Sequence, residues 1–223
     1  MGELEDWINS VSGESNDEKE PTYTNIFAQL YDNGDGSETL VFTSDDSYRE
    51  NGLTYKQSYD ITDEHFIMGE GSMPPWLDAS TGYMNSTIKT VKIVDEIKPK
   101  YTSCMFAALT TLENIEGMKN LNTENTIDMA GMFIDCASLT NLDLRYFNTS
   151  NVTDMTMMFY FCQSLTSLDL SSFDTKKATK MTSMFMSCAN LTTINVGTNW
   201  TTDNANTSKM FEYCGTDHVT PKS

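Results

Sequence analysis

Five cysteines have the widest chemical range in this chain, because a thiolate can form a disulfide, bind zinc or act as a nucleophile. Four of them, Cys136, Cys162, Cys188 and Cys214, recur 26 residues apart, and Cys104 has no second thiol close to it in the sequence. Zinc sites generally use cysteines separated by about two to four residues, a spacing absent here. On adjacent packed helices, neighbouring thiols would lie roughly 8 to 10 Å apart, too far for a disulfide. The spacing therefore favours a structural ladder of buried, reduced cysteines.

Histidines and clustered acids give no catalytic pattern. His65 and His218 are the only histidines, and neither lies in a sequence pattern typical of a Cys-His or Ser-His pair. Asp60, Asp63 and Glu64 fit a solvated acidic patch. We therefore predict that the protein is not an enzyme and uses no metal and no cofactor.

The segment YDNGDGSE, residues 31–38, has the composition of an oxygen-rich calcium loop. It lacks the strict carboxylate spacing and the trailing bidentate glutamate of such a loop. Because it separates two alternating segments, TNIFAQLY and ETLVFTS, we interpret it as the glycine-rich turn of a β-hairpin.

Charge excludes some partners. The formal net charge is −18, and residues 1–80 hold 18 acids against 3 bases. Such a chain repels phosphate, so nucleic acid and anionic lipid surfaces are not expected partners. No apolar run is long enough to span a membrane and the first residues do not resemble a signal peptide. If the natural protein is exported, its targeting segment lies outside this chain.

A repeat of 26 residues organises the rest of the sequence. Met-Phe pairs begin at Met105, Met132, Met158, Met184 and Met210, and an L-x-x-L-x-L-like run follows most of them. The alternating part of each run predicts a short strand, and the apolar spacing in SNVTDMTMMFYFC predicts a helix. One unit cannot bury its own apolar face, so the units must stack. The residues expected to form ladders through the stack are the four repeating cysteines, Phe133, Phe159, Phe185, Phe211, Leu142 and Leu168.

The segment NTSNVTDMTMMFYFCQSLTSLDLSSFDT resembles the 26-residue repeat of BspA-like leucine-rich-repeat bacterial surface proteins, and the resemblance covers residues 86–214. It implies an exported or lipid-anchored envelope protein that adheres to host or bacterial surfaces. The last unit departs from the pattern, because Trp200 lies one place late and no strand pattern follows Cys214. Either the array ends there with a helix as its cap, or the chain is cut short.

Together, the repeat and the resemblance predict an α/β fold, a right-handed leucine-rich-repeat solenoid of about five strand-helix coils behind a small β-rich domain. The expected divisions are an acidic tether (1–21), a β-rich N-terminal capping domain (22–85), the solenoid (86–217) and a tail (218–223). Leu4, Trp7, Ile8 and Val11 offer an alternative for the tether, because they could form one amphipathic helical turn that docks on the body.

The outward residues of the predicted strands are polar, with a short acidic stripe. We expect binding residues there, namely Glu116, Asp143, Arg145, Asp169 and Asn195. The predicted function is a monomeric cell-surface adhesion module that presents this face to a protein or glycan. The alternative is a spacer or assembly repeat, with recognition carried by the β-rich N-terminal domain.

Overall fold

A computed structural model describes residues 26–61, 74–77 and 84–222 of the chain. The predicted tether (1–21), the amphipathic alternative within it, and His65, Asp63 and Glu64 lie outside these residues.

A five-stranded sheet forms the front of the molecule. Three antiparallel strands come first, β1 (Ile26–Asp32), β2 (Glu38–Thr43) and β3 (Thr54–Ile61). Strand β4 (Ile88–Ile93) then pairs parallel to β2, and β5 (Asn114–Glu116) pairs parallel to β4. The order is β3-β1-β2-β4-β5, so the front hairpin and the first coils share one sheet.

The hairpin predicted for residues 31–38 is confirmed. Strands β1 and β2 pair in antiparallel register as far as Asp32 and Glu38. Gly34 and Gly36 adopt φ values of 83° and 85° in the turn, a left-handed conformation that glycine adopts without steric cost.

A second, parallel sheet forms the back of the molecule. It consists of β6 (Ser167–Leu170), β7 (Thr193–Val196) and β8 (Thr220–Pro221), in that order. Strand β8 corrects the expectation that no strand follows Cys214, and no helix caps the array among the described residues.

The predicted α/β leucine-rich-repeat solenoid of strand-helix coils is wrong. The described residues contain no α-helix, only one 3-10 turn at Met118–Asn120, and the fold is β-rich. Where a helix was predicted, the chain makes successive tight turns. Met157 and Phe161 have φ values of 53° and 61°, which a right-handed helix does not allow. The expected strand around Leu142 is also not formed.

Successive 26-residue units nevertheless stack as helix-free coils. Isolated parallel bridges join Tyr101 to Asp128, Asp128 to Asp154, Asp154 to Lys180, and Lys180 to Asn206. Phenylalanine rings stack through the interior, with centroids 5.7 Å apart for Phe133 and Phe159. One continuous apolar core therefore runs from the front sheet to the last coil. Each coil obtains from its neighbours the burial that it cannot achieve alone.

Candidate functional site

Of the predicted binding residues, Glu116, Asp169 and Asn195 lie in the parallel strands β5, β6 and β7. Asp143 and Arg145 lie in the coil between them, in a segment that forms no strand. Most of the charges in this set are paired within the chain. The side chain of Glu116 lies 3.6 Å from Lys92, and the guanidinium of Arg145 pairs with the carboxylate of Asp143 at 2.8 Å. This stripe is therefore charge-balanced and not strongly acidic.

Asp169 is held most firmly in that stripe. The ammonium of Lys222, next to β8, donates to its carboxylate at 2.6 Å, and the hydroxyl of Ser171 donates as well. The hydrogen bond from Lys222 is the main cause that lowers the pKa of Asp169 to about 2, followed by that from Ser171. Asn195 lies beside Asp169 in the register of β6 and β7.

The repeating cysteines lie in file inside the stack. The thiols of Cys136, Cys162 and Cys188 each donate to the carbonyl of a phenylalanine in the preceding coil, at 2.8 to 3.0 Å. Burial raises the pKa of Cys188 to about 12, and it raises the pKa values of Cys136 and Cys162 as well. Such thiols stay protonated near neutral pH, so they are poor nucleophiles. Cys214, in the last coil, is only half-buried.

The remaining predicted ladder residues are also interior. Leu142 and Leu168 are buried, as are the first three phenylalanines of the ladder, while Phe211 at the last coil is half-buried. Their positions assign them to the core of the stack.

A polar column escaped the sequence prediction. It runs beside the core through Tyr101, Asp128, Asp154, Lys180 and Asn206, which bridge one another in sequence. The ammonium of Lys180 lies 3.1 Å from the carboxylate of Asp154. Burial, and then the charge of Asp154, raise the pKa of Asp128 to about 6. A signal was present in the sequence, because all five members stand four residues before a Met-Phe pair.

The main chain of the turns shows how coils join. In the fourth coil, alternate N–H groups donate to carbonyls of the fifth coil at 2.9 to 3.0 Å. We call these four donors the inner amides: Met181, Ser183, Phe185 and Ser187.

In the fifth coil the equivalent donors have no further coil stacked on them among the described residues. We call them the end amides: Thr207, Lys209, Phe211 and Tyr213. Within the described residues none of these four N–H groups has an acceptor. Because an edge with no neighbouring coil presents unpaired main-chain donors, this row of four marks an exposed edge.

A cavity of about 530 Å³ lies beside this edge. Trp200, Met210, Phe211 and Val219 supply its apolar wall, and Asp203 and His218 supply polar groups. Strand β8 fills the strand side of the next layer, since the N–H of Lys222 donates to the carbonyl of Val196 at 2.8 Å. The turn side of that layer stays open. We call the end amides together with this cavity the open end.

Among residues 26–61, 74–77 and 84–222, no three histidine, cysteine or acidic side chains are grouped so as to hold a metal ion. No helix in that part of the chain has the length and apolar character to cross a membrane.

A family model described as "Mycoplasma protein of unknown function, DUF285" matches residues 100–220. The match includes the stacked coils from Tyr101 onward and the open end, and it leaves out the antiparallel front strands. No curated protein and no solved structure matches the chain.

Proposed function

The chain belongs to the DUF285 family, and since the matched region includes the open end, we propose that it is a binding module that captures a segment of a partner protein there. It acts by binding and not by catalysis. Following the resemblance noted in the sequence, we place this binding at a bacterial surface.

The row of end amides carries the proposal. Each preceding coil presents donors at the same positions, and each row is satisfied by carbonyls of the coil stacked on it. An added segment that follows the same succession of tight turns as a coil would supply carbonyls at alternate residues and so complete the pattern. This binding resembles the addition of a strand to a sheet edge, because main-chain hydrogen bonds provide affinity and side-chain pockets provide specificity.

The side-chain surroundings indicate what the segment should contain. Phe185 and Phe211 stack with their centroids 5.6 Å apart, and Phe211 ends this column. An aromatic side chain of the partner could continue the column, because offset or stacked rings attract beyond simple area burial. The adjoining cavity has the size of an ordinary ligand pocket and would take a second apolar group.

The polar strand face is the second candidate. Arg145 lies over the ring of Tyr146, which is 50% exposed, with 5.4 Å between the guanidinium carbon and the ring centroid. Arginine and tyrosine are enriched among residues that dominate binding energy, so this pair is the best anchor on that face. The other alternative, recognition by the front strands, stays a prediction.

A peptide copied from the chain tests the proposal. The probe has the sequence of residues 180–189 with Cys188 replaced by serine, because this segment already occupies such an edge inside the stack. Its binding to the full chain is followed by fluorescence anisotropy. Phe211→Glu should weaken binding by about tenfold or more, the equivalent of about 1.4 kcal/mol.

Tyr146→Glu is the matched control, since it changes an exposed aromatic on the strand face. It should leave the affinity unchanged. Loss of binding in Tyr146→Glu with normal binding in Phe211→Glu would move the site to the strand face. A full chain that binds no peptide at all would contradict capture at the open end.

A further inference from the structure

The chain contains two asparagine-glycine pairs, Asn33-Gly34 and Asn51-Gly52, and both lie in turns of the front sheet. In such a pair the main-chain nitrogen of glycine can attack the side-chain carbonyl carbon of asparagine, because glycine has no Cβ to obstruct the approach. The backbone at the two glycines is nearly identical, with φ values of 83° and 82°, and a Cβ added at either one would meet no atom within 4 Å. The two pairs therefore differ mainly in exposure and in their hydrogen bonds.

Hydrogen bonds hold both reacting groups of the first pair. The side-chain nitrogen of Asn33 donates to the hydroxyl of Ser37 at 2.9 Å, and its side-chain oxygen accepts from the hydroxyl of Thr39 at 2.8 Å. The N–H of Gly34 donates to the carboxylate of Asp32 at 2.7 Å, and a hydrogen bond to an anion keeps the proton on that nitrogen. Ser37 and Thr39 are themselves buried. The carbonyl carbon of the Asn33 side chain therefore cannot turn towards the Gly34 nitrogen unless the turn opens.

The second pair is not restrained in this way. Asn51 and Gly52 are exposed and lie in the turn just before β3. Within the described part of the chain, neither the Asn51 side chain nor the Gly52 N–H makes a hydrogen bond. The side chain can therefore rotate, and the nitrogen can lose its proton, without first breaking a hydrogen bond of the fold.

We propose that Asn51 is a site of spontaneous deamidation and that the fold protects Asn33 from the same reaction. The Gly52 nitrogen loses its proton to water and forms a bond to Cγ of Asn51, and the side-chain nitrogen leaves as ammonia. Water then opens the resulting succinimide ring at either carbonyl carbon, which gives aspartate or isoaspartate. Water is the only co-reactant, and nothing is oxidised or reduced.

The new carboxylate stands beside ion pairs of the polar strand face. The carboxylate of Glu50, the preceding residue, accepts from the hydroxyl of Tyr48 at 2.6 Å and lies 3.2 Å from the ammonium of Lys92. Lys92 also lies 3.6 Å from the carboxylate of Glu116. Deamidation places a second negative charge next to Glu50, and isoaspartate also lengthens the main chain just before β3. The modification therefore changes both the charge and the backbone at one border of this face.

Peptide mapping by mass spectrometry follows both sites in one sample of the folded full chain, kept at mildly alkaline pH. Asn51 should deamidate at least about tenfold faster than Asn33, because Asn33 must first be released by local opening of its turn. In the chain unfolded in urea the two rates should converge, since both sites are asparagine-glycine pairs. Asn51→Gln should remove the modification at that position and leave the rate at Asn33 unchanged.

A variant that releases Asn33 is the matched control. Ser37→Ala combined with Thr39→Val removes both partners of the Asn33 side chain, so Asn33 should then deamidate several-fold faster while Asn51 keeps its rate. Deamidation of Asn33 as fast as that of Asn51 in the folded parent would overturn the proposal. An excess at Asn51 that persists in urea, or an unchanged rate at Asn33 in the double variant, would also overturn it, because the fold would then not be the cause.

Discussion

The two ends of the stack differ in how their last aromatic rings and main-chain edges are covered. At the front, Phe106, the first ring of the column, meets Phe42 of β2 at 5.9 Å, and Phe42 in turn meets Trp76 at 5.3 Å. At the back, Phe211 faces a cavity, and β8 supplies only two residues of the next layer. A stack of coils exposes apolar and hydrogen-bonding edges at both ends. Here one edge is closed by a different kind of sheet, while the turn side of the other edge has no coil stacked on it among the described residues.

The largest expected effect on stability lies at the closed end of the stack, where the five-stranded front sheet covers the first coil. Phe42 is fully buried between the front sheet and the first coil. Phe42→Ala should lower the free energy of unfolding by about 3 to 5 kcal/mol, since it removes a buried ring and leaves a cavity. Urea denaturation measures this. A loss below about 1 kcal/mol would mean that the front sheet does not cap the stack.

The polar column should give a pH effect of intermediate size. The pKa of Asp128 is raised to about 6, above its ordinary value. The folded state therefore binds a proton more tightly than the unfolded state, and stability falls as pH rises from about 4 to beyond 6. Relative to Asp128→Asn, the parent should lose about 1 to 3 kcal/mol between pH 4 and pH 7. If the unfolding free energies of the two proteins changed with pH by the same amount across this range, the raised pKa of Asp128 would be contradicted.

Removal of an aromatic side chain at the open end should lower the free energy of unfolding less than removal of one at the closed end. Phe211 is only half-buried, so Phe211→Ala should lower the free energy of unfolding by about 1 kcal/mol. Comparison with Phe42→Ala in the same urea experiment isolates the difference between the ends. Equal losses for both variants would show that the last ring is as well covered as the first.

The smallest effect is expected at the ion pair beside β8. Lys222→Gln removes the partner of Asp169, and both side chains are more than half exposed. The change in unfolding free energy at pH 7 should be about 0.5 kcal/mol or less. Because the pKa of Asp169 is lowered to about 2, this contribution is present above pH 4 and disappears as pH falls towards 2. NMR titration of the Asp169 carboxyl should show its pKa rise in the variant.

The 26-residue period of the sequence was enough to show which side chains are buried, but it did not define the conformation of the backbone between them. The spacing of Met158, Phe159 and Cys162 indicates which side chains share the interior, and those residues are buried. The same spacing arises in a helix and in tight turns that pass through left-handed residues. Met157 and Phe161 hold those left-handed positions without being glycine, so no residue type marked the break.

The binding site was still harder to predict. Alternation correctly places Asp169 on the outer face of its strand, but Lys222 is 53 residues from Asp169, and only the fold brings them together. The end amides belong to the main chain and have no side-chain signature. They become visible only when their N–H groups are seen to lack acceptors among the described residues.

Amide hydrogen exchange of the full chain tests the central claim most directly. The end amides should exchange at rates close to those of unprotected amides, whereas the inner amides should exchange at least about a thousandfold more slowly. Addition of the peptide of residues 180–189 should slow the end amides and leave the inner amides unchanged. Protection of the end amides equal to that of the inner amides, before any peptide is added, would contradict an open edge at this end of the stack.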